Sequence, residues 1–374
     1  MPPDDNDLAD LVALSLVPGL GPRLTQALLD RFGSAAAARQ ATVAQLETVP
    51  HIGAKLAHDF ARALRETDPR AELERASGYG VRLVPYYSPE FPARMKELPD
   101  APHLLYVRGA VLPGDANAVA IVGSRKCTAY GVRMATRIAG GLARAGLTVV
   151  SGLALGIDGS AHRGALDAGG RTLAVLAGGL SSIYPPEHVD LADAVAANGA
   201  LITETPLLME PQRGMFHSRN RLISGLARAV VIIEANDRSG ALITARHAAE
   251  QGREVFAVPA NVDSSHSAGS LRLLRQGAKM VRHVDDLLED LNGLRVEHKA
   301  TAAAMSPAPP AQPAPPPVLD AAQQRVWDFL TEPRHADEIT RGLGLGAGEM
   351  SKLLLTMEMK KLIRRAPGNM YERR

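Results

Sequence analysis

Residues 118–162 read AVAIVGSRKCTAYGVRMATRIAGGLARAGLTVVSGLALGIDGSAH, and this stretch decides the class of fold. Two apolar runs, 118–123 and 147–152, each end in a glycine turn. An amphipathic stretch, Tyr130–Ala145, lies between them, and a second, Asp158–Ala168, follows. A strand with no polar alternation is buried on both faces, which is the condition of a parallel sheet covered by helices. The same grammar continues in both directions. TLAVLAG (172–178), ALITE (200–204), AVVIIEA (229–235) and EVFAVPA (254–260) read as further strands, and Leu242–Gln251 as a further helix. Residues 76–296 are therefore expected to form one α/β domain, a doubly wound, mostly parallel sheet.

Ligands of such sheets bind beyond the carboxyl ends of the strands, and those ends carry the unusual residues here. The first strand runs into Gly123-Ser124-Arg125: a turn glycine, a hydroxyl donor and a guanidinium able to grip a phosphate with two parallel N–H bonds. The second ends in Ser151-Gly152, and the third in Gly178-Gly179 followed by Ile183-Tyr184-Pro185. The densest basic cluster, Arg213-Gly214-Met215-Phe216-His217-Ser218-Arg219-Asn220-Arg221, sets one aromatic among arginines in a chain that is only 4% aromatic. Cations along a backbone and a ring under a base are how single-stranded nucleic acid is held. This reading places Phe216 in a polar loop ahead of a helix opening near Asn220. The turn Ser239-Gly240 opens another helix and offers a further anion seat. No G-x-G-x-x-G is present and no acidic residue suited to a ribose ends the next strand, so a nicotinamide cofactor is disfavoured. Asp158 is placed to cap its helix, with His162 one turn on. A carboxylate–imidazole pair without nucleophile or metal partner reads as structural, so no catalytic residue, metal site or cofactor is expected.

The flanks differ from the core. Residues 299–317 (KATAAAMSPAPPAQPAPPP) cannot build a core and set 297–317 apart as a linker. Residues 1–75 read as short helices in which VPGLGPRLTQALL (17–29) and VPHIGAKLAHDF (49–60) repeat one unit. That repeat resembles a tandem helix-hairpin-helix, or SAM-like, domain. Its turns at Gly19, Gly21 and Gly53, with Arg23 and Lys55, offer a phosphate seat, or else serve a spacer or protein-binding domain. His51 stands where a glycine is usual. Residues 318–374 read as a helix around Val326, Phe329 and Leu330, a helix Asp337–Leu343, a longer one Met350–Leu362, and a strand pair across Ala366-Pro367-Gly368-Asn369. This resembles a winged helix. Lys352, Lys360, Lys361, Arg364 and Arg365 are its candidate phosphate contacts, although interspersed acid favours a docking domain.

Composition limits the function. With 374 residues, a formal net charge of +2 and 22% charged residues, a uniformly basic coat is excluded, and any nucleic-acid site must be local. The single cysteine, Cys127, excludes a disulfide framework or a cysteine-rich zinc site. No basic-then-apolar leader opens the sequence and no apolar run reaches membrane-spanning length, so a cytoplasmic protein is expected.

Taken together, GSRKCTAYG (123–131), SGLALGIDGSAH (151–162), AGGLSSIYPPE (177–187), FHSRNRLISGLARAVVIIEA (216–235), RSGALITARHAAEQGREVFAVPA (238–260) and Gly277-Ala278 resemble the DprA family, also called Smf or DNA-processing proteins. The resemblance implies a Rossmann-like core between a helical domain and a winged helix. It further implies a single-stranded DNA-binding protein of natural transformation that protects incoming strands, loads the RecA recombinase and works as a homodimer. Its DNA pocket would include Gly123, Ser124, Arg125, the glycine turns and Arg213, Phe216 and Arg219–Arg221. Departures are Pro259-Ala260 in place of Pro-Gly, Gly269-Ser270-Leu271-Arg272 in place of an Asn-rich turn, and Met215 and His217 beside Phe216. Two other functions compete. A nucleotide-cleaving hydrolase would use Asp158, His162 and Glu234, but the Pro-Gly-Gly-x-Gly-Thr turn and its glutamate are absent. A duplex-DNA regulator would act through the last module.

Overall fold

A computed structural model describes residues 5–291, 319–330, 332, 334–360, 362–366 and 369–373. The linker 297–317 lies outside them. Contacts divide the chain into two units, Met1–Lys299 and Ala300–Arg374.

The first unit opens with six helices: α1 (Asp5–Ser15), α2 (Pro22–Phe32), α3 (Ala35–Arg39), α4 (Val43–Leu46), α5 (Ala54–Glu66) and α6 (Pro69–Gly78). Polar side chains cap the N-termini of α3, α4 and α6: Ser34 accepts from the Ala37 amide, Thr42 and Gln45 form a capping box, and Asp68 accepts from the Ala71 amide. Leu14, Leu28, Leu46, Phe60 and Leu64 close a small core of their own. α1 serves two cores at once. Leu11 and Leu14 face the helices, whereas Val12 packs with Ala76, Val81, Tyr106 and Leu191 of the sheet domain. The helical segment is therefore built onto the sheet rather than tethered to it.

Nine strands form the sheet: β1 (Arg82–Pro85), β2 (Leu104–Gly109), β3 (Val119–Gly123), β4 (Val149–Ser151), β5 (Thr172–Val175), β6 (Ala200–Thr203), β7 (Ala229–Ile233), β8 (Glu254–Ala257) and β9 (Lys279–Met280). Their order is β1-β2-β6-β5-β4-β3-β7-β8-β9. All pairs from β6 through β9 are parallel, and β2 joins β6, and β1 joins β2, antiparallel. All six strands read from the apolar runs are present. The antiparallel edge and β9 were not anticipated.

Helices α7 (Ala129–Arg144), α8 (Ile157–Asp167), α9 (Val189–Asn198), α10 (Met215–Leu226), α11 (Ala241–Glu250), α12 (Ala268–Arg275) and α13 (Val284–Asp290) complete the unit. Alternate strand residues serve opposite faces. Val122, Val150, Val230 and Ile232 meet Leu222 and Ile223 of α10 and Ala245 of α11. Ile121, Val149, Val231 and Ile233 meet Ile138 and Leu142 of α7 and Ala161 of α8. The chain leaves β3 toward β4 and later returns to β7 on the other side of β3, in register from Val119↔Ala229 to Gly123↔Ile233. The β3 and β7 ends are thus the topological switch point, where connecting loops part and leave a crevice.

The second unit contains α14 (Ala321–Phe329), β10 (Arg334–His335), α15 (Ala336–Leu343), α16 (Ala347–Met359), β11 (Ile363–Ala366) and β12 (Met370–Arg373). The strands pair in the order β10-β12-β11, all antiparallel. Val326, Ile339, Leu354, Met357 and Tyr371 fill its core. Three helices closed by a small hairpin-edged sheet make a winged helix. Among the described residues no helix is long and apolar enough to cross a membrane.

Candidate functional site

At the switch point lies a cavity of about 1070 Å³. Its walls come from the β3 turn (Gly123–Lys126), the segment 210–220 and the turn 236–241. Five basic side chains line it, Arg125, Lys126, Arg213, Arg219 and Arg238, against two acidic ones, Asp158 and Glu210.

Local structure aims the rim. A Cβ at Gly123 would fall 1.8 Å from the Ile233 carbonyl, so only glycine lets β3 turn away beside β7. Beyond it, Gly156 at φ +78 brings the second turn onto the Ser124 carbonyl, which accepts from the Ile157 amide at 3.2 Å. The Ser124 hydroxyl accepts from the Lys126 amide at 3.1 Å and rounds off the turn. Arg125 is left exposed, its guanidinium 4.9 Å from the centroid of the Phe216 ring. Lys126, Arg213 and Arg238 are also exposed, and among the described residues none of the four rim cations has an ion pair.

The basic cluster is helical from Met215 on, contrary to the expectation of a loop with a helix opening near Asn220. α10 begins at Met215 behind Gly214, so Phe216 stands in its first turn, half-buried at the cavity wall. About 100° per residue then sends Arg219, Asn220 and Arg221 apart. Arg219 is buried in the floor, where Nη1 donates to the Gly152 carbonyl at 2.7 Å and to the Val175 carbonyl. Burial pushes its pKa down to about 10, against the pull of Asp158. The Asn220 amide donates to the Gly240 carbonyl at 3.2 Å and ties α10 to the Ser239-Gly240 turn. Arg221 leaves the rim altogether. It pairs with Glu204, donates to the Asp100 carbonyl at 2.8 Å and lines a second cavity of about 650 Å³.

The remaining expected residues separate in the same way. Ser239 and Gly240 line the cavity. Ser151 is fully buried and donates to the Ile121 carbonyl at 2.6 Å, and Gly152 packs flat on the Arg219 guanidinium. Gly178 and Gly179 lie under the 206–211 segment, with Pro211 and the Leu207 carbonyl where side chains would be. None of these four lines the cavity itself; they pack behind it. Segments after β3, β4, β5 and β7 all reach the cavity, the β4 one through Ala154 and Asp158 and the β5 one through Ser182–Tyr184 and Pro186.

The acid/base candidates are tied down. Asp158 is not an N-cap; it sits in the first turn of α8, behind Gly156, and accepts from the Gly152 amide at 3.1 Å and the Ala154 amide at 3.4 Å. Burial raises its pKa, opposed by Arg219 and those amides. His162 is fully buried. Thr172 donates to the Val149 carbonyl, so His162 Nδ1 donates to Thr172 at 2.7 Å. Burial and the neighbouring His188 push that imidazole down to about 3. Glu234 accepts from the Thr128 amide at 2.7 Å and from its hydroxyl, and serves as the built-in anion at the start of α7. Among the described residues no group of three or more His, Cys, Asp or Glu could hold a metal.

The two hairpins are unequal. The first, with Gly19, Gly21 and Arg23, lines the second cavity beside Asp100 and Glu204. The second is open: His51, at φ +70, Gly53 and Lys55 are exposed. In the winged helix Lys352 is exposed, Lys360 donates to Gln323 at 3.3 Å, and Arg364 pairs with Glu372. Lys361 and the Arg365 side chain lie outside the described residues, as do Pro367 and Gly368. Residues the sequence reading passed over are Lys126, Arg238 and Tyr184, all in the cavity wall. Their signal was their position within a few residues of the β3, β7 and β5 ends.

Comparison with known proteins agrees with this architecture. The profile of the family described as DNA recombination-mediator protein A matches residues 82–292. A DprA winged-helix profile matches 308–369, and a SAM-like helix-hairpin-helix tandem matches 11–66. Protein Smf of Synechocystis is 33% identical, over 99% of this chain and 100% of that protein. The crystal structure of DNA processing protein A from Streptococcus pneumoniae superposes with a TM-score of 0.66 at 30% identity, covering 75% of this chain and 97% of the other. That of Helicobacter pylori DNA processing protein A, described for its single-stranded DNA binding mode, gives 0.51 at 29% identity, covering 56% and 95%. A profile spanning more than half of the chain and a relative matched end to end leave one conclusion: the chain belongs to the DNA recombination-mediator protein A family, the DprA/Smf proteins.

Proposed function

We propose that the switch-point cavity binds single-stranded DNA. The observation that carries this reading is the set of four exposed cations without ion pairs, Arg125, Lys126, Arg213 and Arg238, ringed around Phe216. Cations left unpaired on a rim attract the phosphate backbone, and the ring offers a face to an unpaired base. The single-stranded DNA binding described for the Helicobacter pylori relative supports the same reading. The site residues are Gly123, Ser124, Arg125, Arg213, Phe216, Ser239 and Gly240 at the cavity. Arg219 and Asn220 line its floor, Ser151, Gly152, Gly178 and Gly179 shape it from behind, and Arg221 acts at a distance. The protein is read as a binding protein rather than an enzyme, since Asp158, His162 and Glu234 are committed to internal hydrogen bonds. Family membership supports the wider role: a cytoplasmic homodimer that protects incoming strands and loads the RecA recombinase on them.

Fluorescence anisotropy with labelled single-stranded and duplex oligomers of equal length, across a salt series, tests the core of this. Arg125→Ala is expected to weaken single-strand binding for every sequence and to flatten the log–log salt slope by about one. Unchanged affinity and slope would place the DNA elsewhere.

A further inference from the structure

The rim holds an aromatic side chain that the binding role assigned so far leaves unused. Tyr184 follows the β5 turn and lines the cavity while 49% exposed. Its ring centroid is 5.6 Å from that of Phe216, with the planes tilted by 58°. Among the described residues its hydroxyl has no hydrogen-bond partner, so nothing polar holds this ring toward solvent. Tyrosine presents a large stacking area on only two side-chain torsions, which makes it an efficient platform for a planar ligand.

Phe216 alone does not supply an open platform. The Arg125 guanidinium lies over its ring at 4.9 Å, and Tyr184 packs against it. Arg125 thus covers one face of the Phe216 ring. Tyr184 carries no such cover. Together the two rings form a stepped pair, Phe216 the more buried and Tyr184 half-exposed, with cations on the turns around them.

We propose that Tyr184 is the outer stacking platform of the cavity. An unpaired strand then seats two neighbouring bases, the outer one on Tyr184 and the inner one beside Phe216. The proposal rests on the single-stranded DNA reading above and deepens it. The ligand class is an unstacked step of single strand; a duplex, whose bases are already stacked on one another, cannot offer it.

The experiment uses the full chain with a labelled oligonucleotide and with the same length carrying abasic sites throughout. Tyr184→Ala is expected to weaken binding of the normal oligomer by roughly tenfold, the loss of one base stack. Tyr184→Phe keeps wild-type affinity. The abasic oligomer binds wild type and Tyr184→Ala alike, and the salt slope is the same for both, because no charge was removed. Tyr184→Trp adds a reporter: its emission is quenched by the normal oligomer and not by the abasic one, against the background of the chain's single native tryptophan, Trp327. Equal affinity of Tyr184→Ala and wild type for the normal oligomer overturns the proposal. So does an equal loss on the abasic oligomer, which marks a purely structural ring. Failure of wild type itself to bind single strands overturns the underlying function, and the wild-type arm reports that separately.

Discussion

Rim and floor of the cavity use the same residue type to opposite ends. Arg125 and Arg213 are exposed and, among the described residues, carry no ion pair, whereas Arg219 is 6% exposed and bonded to two strand-end carbonyls. The floor arginine closes the C-terminal ends of β4 and β5, whose carbonyls point into the crevice without a next strand residue to satisfy them. A guanidinium with several fixed donors does this where an ammonium cannot. Among the described residues no carboxylate pairs with the rim arginines, so their charge is left for a ligand. Charge count alone therefore misleads: what matters is which cations the fold has already neutralised.

The largest test of that contrast is Arg219→Leu. Removing a buried cation strands the Gly152 and Val175 carbonyls and leaves Asp158 without its nearest compensating charge. Full-chain stability to denaturant is expected to fall by about 3–5 kcal/mol. Affinity of the protein that remains folded should change little beside that of Arg125→Ala. Unaltered stability with lost DNA binding would move Arg219 from the floor to the rim.

Next comes the pH dependence of the floor. The His162 imidazole is pushed down to about 3 from its ordinary 6.5. The unfolded chain then takes up a proton that the folded chain refuses. The stabilisation is whole above pH 6.5 and is lost as the pH falls toward 3. Asp158 works in the other sense, since burial raises its pKa and favours its protonated form in the fold. The difference between wild type and His162→Gln isolates the histidine. Unfolding curves should show the variant relatively better at low pH, by on the order of a few kcal/mol near pH 3. Parallel pH profiles would mean that the ring is hydrated and available to the cavity.

Much of this arrangement was legible in the chain. The six inner strands announced themselves as apolar runs because both faces of each are covered. The turn Gly123-Ser124-Arg125 was legible because strand ends have a known place in such sheets. Neighbours remote in sequence were not. Gly178 and Gly179 read as ligand contacts, but the 206–211 segment folds over them, and nothing near residue 178 encodes that. Arg219 and Arg221 look alike in the cluster, and only the helical rotation from Met215 onward sends one under the cavity and the other toward Glu204. β1 and β2 stayed hidden because their antiparallel pairing leaves no crossover helix as a cue. Tyr184 went unassigned because its meaning depends on contact with Phe216, thirty-two positions on.

The smallest effect sharpens the rim itself. Glu210 is exposed in the cavity wall and, among the described residues, has no ion pair with the cations around it. A strand threading past Arg213 would carry its phosphates close to that carboxylate. Glu210→Gln removes a repulsion that water and salt already screen. The expected gain in single-strand affinity is about twofold at low ionic strength, from a surface interaction worth well under 1 kcal/mol. It should fade by physiological salt, where the Debye length shrinks to about 8 Å. Anisotropy titrations at two salt concentrations measure it directly. A gain that persists at high salt would mean that the phosphate sits in contact with residue 210. No gain at either would carry the strand out of the cavity on the opposite side, past Arg238.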